Sequence, residues 1–191
     1  MTTSNKIIGI AGTFGSGKDT LADYLVKEHN YFHVSTGDLV RKESLKRHNS
    51  IERNPYLQET AEYLRQTYGG GVLVERAFHV FEKYKNDYKG VVITGIRSFG
   101  EAKAIKSLGG ILVYVDADIE KRYKRVQNRK RDKEAKVTLA QFRENEQKEN
   151  SGGSNDTEFN IYRIKDTADI VLQNDSDLQS FFDSAAAVLK I

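Results

Sequence analysis

Cysteine is absent from this 191-residue chain, and histidine occurs only four times. The first absence excludes disulfides, thiolate zinc sites and thiol nucleophiles; the second disfavours a histidine metal cluster. No stretch approaches the roughly 20 apolar residues that a membrane-spanning helix needs. The opening segment, Met1 to Lys6, is polar and short rather than a signal sequence, so a cytoplasmic protein is expected. Neither internal repeats nor low-complexity tracts interrupt the chain, and its length suits one core carrying inserted subdomains.

What is present begins with an apolar strand, Ile7-Ile8-Gly9-Ile10-Ala11, followed by Gly12-Thr13-Phe14-Gly15-Ser16-Gly17-Lys18-Asp19-Thr20. Small residues between a strand and a helix allow several backbone N–H groups to converge on phosphate oxygens, and a lysine at the helix start reaches the terminal phosphates. Gly12, Gly15 and Gly17 supply the permissive backbone, and Lys18 the charge. The helix that follows carries Leu21 and Leu25, and Ala22 and Val26, at four-residue spacing. These nine residues nearly spell the phosphate-binding P-loop, so ATP with Mg2+ is the expected ligand. One position departs from the pattern: Asp19 stands where a Ser or Thr hydroxyl normally ligates magnesium, so a carboxylate is the expected metal ligand.

Buried-strand signals recur at Lys6–Ala11, Tyr31–Val34, Val91–Thr94, Ile111–Val115 and Asp169–Gln173, with helical stretches between them. This alternation predicts an α/β fold of the P-loop NTPase type: three α/β/α layers around a five-stranded parallel sheet. Asn54-Pro55 reads as the start of one helix, Asp118 as the cap of another, and Thr138-x-x-Gln141 and Ser176-x-x-Gln179 as capping boxes. Ser151 to Asp156 reads as a loop. Two segments exceed what sheet crossovers require, 37–89 and 118–167, and both leave the C-terminal edge of the sheet where open α/β folds bind ligands. They are expected to be an acceptor-binding insertion and a lid within one domain, 1–191.

The net charge is +3, but Lys121, Arg122, Lys124, Arg125, Arg129, Lys130, Arg131 and Lys133 cluster with Asp132 as their only acid. Such a run is a solvated helix face, a nucleic-acid patch or, beside a P-loop, a set of arginines closing over polyphosphate.

Ser35-Thr36-Gly37-Asp38-Leu39-Val40-Arg41 resembles the acceptor motif of adenylate kinases and related nucleoside monophosphate kinases, which implies that Thr36 contacts the monophosphate nucleotide and Arg41 its phosphate. Thr94-Gly95-Ile96-Arg97-Ser98-Phe99-Gly100-Glu101 looks like the same family's Gly-x-Pro-Arg region. The resemblance makes Arg97 a clamp on the acceptor phosphate and puts Glu101 in the place of a base-reading glutamine. An ionised carboxylate only accepts hydrogen bonds, which favours adenine or cytosine over uracil. Arg125, Arg129 and Arg131 resemble the lid arginines. Over almost its whole length the chain is similar to a group of archaeal and bacterial P-loop proteins akin to both adenylate kinase and dephospho-coenzyme A kinase.

Thr94 takes the position where many P-loop kinases place a magnesium-holding aspartate; with Asp19 gained, the metal-holding carboxylate is expected to have moved from one strand end to the other. The expected activity is transfer of the ATP γ-phosphoryl group to a nucleoside monophosphate-like acceptor by a monomer or homodimer, with neither nucleic acid nor membrane as partner. The alternatives are a dephospho-coenzyme A kinase with Asp38 as base, and a non-enzymatic module that senses ATP or binds nucleic acid.

Overall fold

Successive residues of the central strand point to opposite faces, and in this chain both faces are apolar. In the computed structural model, which describes residues 6–128, 137–150, 153 and 155–191, β1 (Lys6–Gly12) is paired on both edges. It lies between β3 (Gly90–Thr94) and β4 (Ile111–Asp116), with β2 (Tyr31–Ser35) and β5 (Ile170–Gln173) outside them. All pairings are parallel, in the order β2-β3-β1-β4-β5. Parallel strands need crossovers, and these carry the helices onto both faces.

Ile8, Ile10, Val92, Val113 and Val115 face one helical layer, α1 (Lys18–His29) and α9 (Leu178–Leu189), through Leu21, Leu25, Phe181 and Leu189. Ile7, Ala11, Val91, Ile93, Leu112 and Tyr114 face the other. That layer comprises α4 (Val72–Glu82), α5 (Phe99–Ser107) and α8 (Ile161–Thr167). Each fully buried Ile or Leu contributes roughly 1.5–3 kcal/mol of transfer free energy. This three-layer α/β arrangement is the one the strand pattern predicts. A smaller core of Val40, Ala61, Leu64, Val72 and Leu73 joins α2 (Thr36–His48), α3 (Gln58–Tyr68) and α4 beside the sheet.

Local signals are kept in some places and displaced in others. Asp118 caps α6 (Ile119–Asn128), accepting from the N–H groups of Glu120 and Lys121. Thr138 and Gln141 form their reciprocal box at the head of α7 (Leu139–Asn150). By contrast, α9 is capped by Asp177 rather than Ser176, because the Asp177 carboxylate accepts from both the N–H and the hydroxyl of Ser180. Around Asn54-Pro55 the chain makes a π-helical turn, Arg53–Leu57, and α3 starts only at Gln58. Of the segment from Ser151 to Asp156, residues 151, 152 and 154 lie outside the described residues. No helix among the described residues is long and apolar enough to cross a membrane.

Candidate functional site

β1 ends at Gly12, and the chain must turn within five residues to enter α1 at Lys18. Gly15 and Gly17 do this with φ of 78° and 101°, a left-handed region that costs an L side chain about 1–2 kcal/mol. Space forbids a side chain as well. A Cβ on Gly15 would stand 2.8 Å from the Arg122 carbonyl oxygen, and one on Gly17 only 2.2 Å from the Asn174 amide nitrogen. Ser16 N–H donates to the Thr13 carbonyl across the turn, and Leu21 N–H to Gly17. The result is a compact loop at the N-terminus of α1, where the helix dipole favours an anion. The hydroxyls of Thr13 and Ser16 are buried without a protein hydrogen-bond partner among the described residues. Phosphate oxygens suit such groups, so the loop fits a nucleotide polyphosphate.

The loop is braced by residues far away in sequence. Asn174, just past β5, donates from Nδ2 to the Ser16 carbonyl at 2.8 Å, while its own N–H bonds to the Asp116 carbonyl. Arg125 donates to the Asn174 carbonyl at 2.7 Å and reaches the Ser16 carbonyl at 3.5 Å. Arg122 is buried: Nε donates to the Ala117 carbonyl, Nη1 to the Phe14 carbonyl, and Nη2 to both Glu146 oxygens at 2.9 and 3.0 Å. The face of α6 expected to meet phosphate therefore begins with two arginines that hold the loop's backbone. Arg129 and Arg131, the other lid candidates, lie outside the described residues, as does Asp132.

Lys18 is half-buried at the first position of α1, and Asp19 beside it is exposed, with Thr20 following. A carboxylate in the first helical turn is favoured by the dipole and offers the hard oxygen donor that magnesium takes. Among the described residues no group of three or more acidic, histidine or cysteine side chains is arranged to hold a metal by itself. Any magnesium at Asp19 would thus depend on nucleotide phosphates for most of its ligands.

Across β1 from Asn174, the ends of β2 and β3 form the other side of the site. The Thr94 hydroxyl is 2.8 Å from Nε2 of His33. Burial of the imidazole lowers the His33 pKa from its ordinary value, although Asp23, Asp19 and Asp38 pull it upward. Thr36 is buried and donates its hydroxyl to the Gly95 carbonyl at 2.8 Å. Gly37, Asp38 and Arg41 follow on the first turns of α2, with Asp38 and Arg41 ion-paired to one another and exposed. Arg97 is also exposed, with its guanidinium 5.8 Å from the centre of the Phe159 ring.

Glu101 differs most from its expected placement. It has no solvent exposure, and its two oxygens accept from Arg65 and from the backbone N–H groups of Arg97 and Ser98. In this conformation it does not face an open pocket where a base would stack. Ser98-x-x-Glu101 is a complete capping box for α5.

A cavity of about 560 Å3 opens beside Thr13, bounded by the end of β4 and by α6, α7 and α8. Asp116 and Lys165 pair across it at 2.6 Å. Tyr114 lies in its wall, its phenol pushed well above the ordinary range by burial and by Asp116. Arg143, Glu146 and Gln147 line the cavity from α7. Their i, i+3, i+4 spacing was a readable signal that they share a face. Asn174 carried no such signal, because its role depends on β5 ending beside the loop.

The AAA domain family matches residues 8–152. A UPF0200 protein of Methanococcus vannielii is 34% identical over 188 residues, 97% of this chain and 95% of the relative. Another from Sulfurisphaera tokodaii is 28% identical over 97% of this chain and 96% of its own length. Among solved structures, TT1252 from Thermus thermophilus superposes with a TM-score of 0.61 at 20% identity, covering 97% of this chain and 96% of that one. Shikimate kinase from Acinetobacter baumannii, solved with shikimate, gives 0.52 at 16% identity over 98% and 95%. At these identities the structures speak for the fold alone, a three-layer α/β P-loop NTPase domain. Fold, loop and sequence together place the chain in the AAA domain family, as a member of the UPF0200 proteins.

Proposed function

We propose that this protein is an ATP-dependent phosphotransferase that moves the γ-phosphoryl group to a nucleoside monophosphate-like acceptor. The observation that carries this reading is the loop at the end of β1: a glycine turn with Lys18 behind it and two buried hydroxyls that lack a protein partner among the described residues. Its backbone N–H groups and Lys18 would hold the donor phosphates. Asp19 would hold magnesium, which would supply positive charge to offset the donor phosphates beside Lys18.

On the β2–β3 side, Thr36, Arg41 and Arg97 would seat the acceptor. Arg41 and Arg97 have the planar fork that pairs with two phosphate oxygens and stays charged when water is excluded. An acceptor phosphate oxygen then forms a bond to the γ-phosphorus as the bridging bond to the β-phosphate breaks, and ADP leaves. A phosphate acceptor needs no strong base, so positioning and charge stabilisation carry the rate. Arg125, Arg129 and Arg131 are proposed to act from the lid side. Segments 37–89 and 118–167 are proposed as two covers of one domain, whose closure would exclude water and suppress idle hydrolysis. The enzyme is proposed to work as a monomer or homodimer.

A dephospho-coenzyme A kinase would instead need a base for a ribose hydroxyl. Asp38 is the candidate, and its pairing with Arg41 suits orienting that arginine better than abstracting a proton. ADP formation from ATP and Mg2+, measured with each common nucleoside monophosphate and with dephospho-coenzyme A against water-only controls, tests the reading. Phosphorylation of a monophosphate is expected. ADP release at the water-only rate with every acceptor would overturn it.

A further inference from the structure

The loop that presents Arg97 follows the end of β3 at Thr94. Two of its backbone N–H groups converge on one carboxylate. Oε2 of Glu101 accepts from Arg97 N–H at 2.7 Å and from Ser98 N–H at 3.2 Å. Oε1 accepts from Nε and Nη2 of Arg65 at 3.0 and 2.8 Å. Arg65 belongs to α3, in the segment between β2 and β3, and both side chains are sealed from solvent at 2% and 0% exposure.

A third segment enters the same knot. Ser98 makes an antiparallel bridge with Phe159, Asn160 N–H donates to the Arg97 carbonyl, and Gly100 N–H donates to the Asp156 carbonyl. The Phe159 ring lies under both guanidinium groups, 5.0 Å from Arg65 and 5.8 Å from Arg97. Close packing fixes the joint: a Cβ on Gly100 would fall 2.7 Å from the Cα of Gly70 and 2.8 Å from the Asp156 oxygen. Segments from both long insertions therefore meet on the first turn of α5.

We propose that Glu101 is a positioning residue: it fixes the backbone that carries Arg97 and, through Arg65, couples the seat of α3 to that arginine. This rests on the reading of Arg97 as the acceptor's clamp. A buried carboxylate that accepts from four N–H groups has little freedom. If α3 shifts against α5, the carboxylate is pulled with Arg65 and its bonds to Arg97 and Ser98 must lengthen or break. Acceptor binding on the α2–α3 side would then be felt at Arg97 without any contact between acceptor and Glu101.

The test has two readouts, amide hydrogen exchange at Arg97 and Ser98 and the acceptor and ATP KM values. Three variants serve: Glu101→Gln, the double variant Arg65→Met/Glu101→Met, and Arg65→Lys. The double variant removes both buried charges together, which folded proteins tolerate better than loss of one partner; Arg65→Lys keeps the charge and loses the fork. In each variant that folds, exchange at the two amides is expected to rise about tenfold relative to β3 amides, and acceptor KM to rise about tenfold with ATP KM within about twofold, as for a displaced binding group. Unchanged exchange, or faster exchange with acceptor KM unmoved, overturns the proposal. Should the wild type phosphorylate no acceptor, the functional reading fails separately. The exchange arm then decides alone, with faster exchange in Arg65→Lys upholding the coupling and unchanged exchange refuting it.

Discussion

Replacing Asn174 with alanine should loosen the P-loop from a position more than 150 residues away in sequence. The change deletes the amide that donates to the Ser16 carbonyl at 2.8 Å and the oxygen that faces Arg125 at 3.4 Å. The Ser16 carbonyl would keep only the long 3.5 Å contact from Arg125. An under-satisfied buried acceptor costs about 1–3 kcal/mol. For a chain of this length that lowers the thermal midpoint by roughly 2–4 °C per kcal/mol. If about half of the larger figure appears in the loop's readiness to bind, ATP affinity falls by about tenfold.

The same geometry makes a second, sharper demand. Gly17→Ala puts a methyl 2.2 Å from the amide nitrogen that Asn174→Ala removes. The clash should vanish in the double variant, leaving only the backbone cost of φ 101°, about 1–2 kcal/mol. The two losses should therefore be clearly sub-additive. Thermal unfolding and calorimetric ATP titration of the four proteins provide the measurement. Additive losses, or Asn174→Ala melting within about 1 °C of wild type with unchanged ATP affinity, would refute the bracing role.

Other outcomes follow from single contacts. Leu25→Ala, at a fully buried position between α1 and the sheet, should cost about 2–5 kcal/mol in denaturant unfolding without abolishing ATP binding. Asp19→Ala should reduce magnesium-dependent turnover far more than metal-free nucleotide affinity; equal small effects would remove Asp19 from the metal's proposed ligands. At Asp169, burial pushes the pKa up, but the Lys106 ammonium and the Leu112 N–H outweigh it and leave the carboxyl below its ordinary value. A depressed folded pKa contributes stability that is present above the unfolded value near 3.9 and is lost as pH falls through the folded one. Asp169→Asn should therefore lower stability at pH 7, and the gap to wild type should narrow as pH falls below the unfolded carboxyl's ordinary range; a gap independent of pH would contradict the assignment.

The centre of the sheet was legible because β1, β3 and β4 are buried on both faces and read as continuous apolar runs. Gly12 to Lys18 was legible because each residue type answers a backbone requirement of the turn. Capping signals were readable where one acceptor stood at the right spacing, as at Asp118 and Thr138. At α9 two overlapping patterns competed, Ser176-x-x-Gln179 and Asp177-x-x-Ser180, and the carboxylate won because it accepts two hydrogen bonds. Glu101 shows the reverse failure. Ser98-x-x-Glu101 has the spacing of a capping box, and although the residue resembles a base-reading glutamine, Arg65 and the two amides hold its carboxylate inside. Arg122, taken as one of a basic run, is buried by Glu146, a partner 24 residues away that no local pattern reveals.

The central claim is that the loop around Lys18 delivers a phosphoryl group to an acceptor seated by Arg97. Its most direct test is transfer of label from γ-labelled ATP to a nucleoside monophosphate under single-turnover conditions with enzyme in excess. Wild-type protein should label the acceptor, Lys18→Ala should label nothing, and Arg97→Lys should need much higher acceptor concentration while binding ATP normally. Label appearing only as inorganic phosphate, at a rate the acceptor does not alter, would contradict the account.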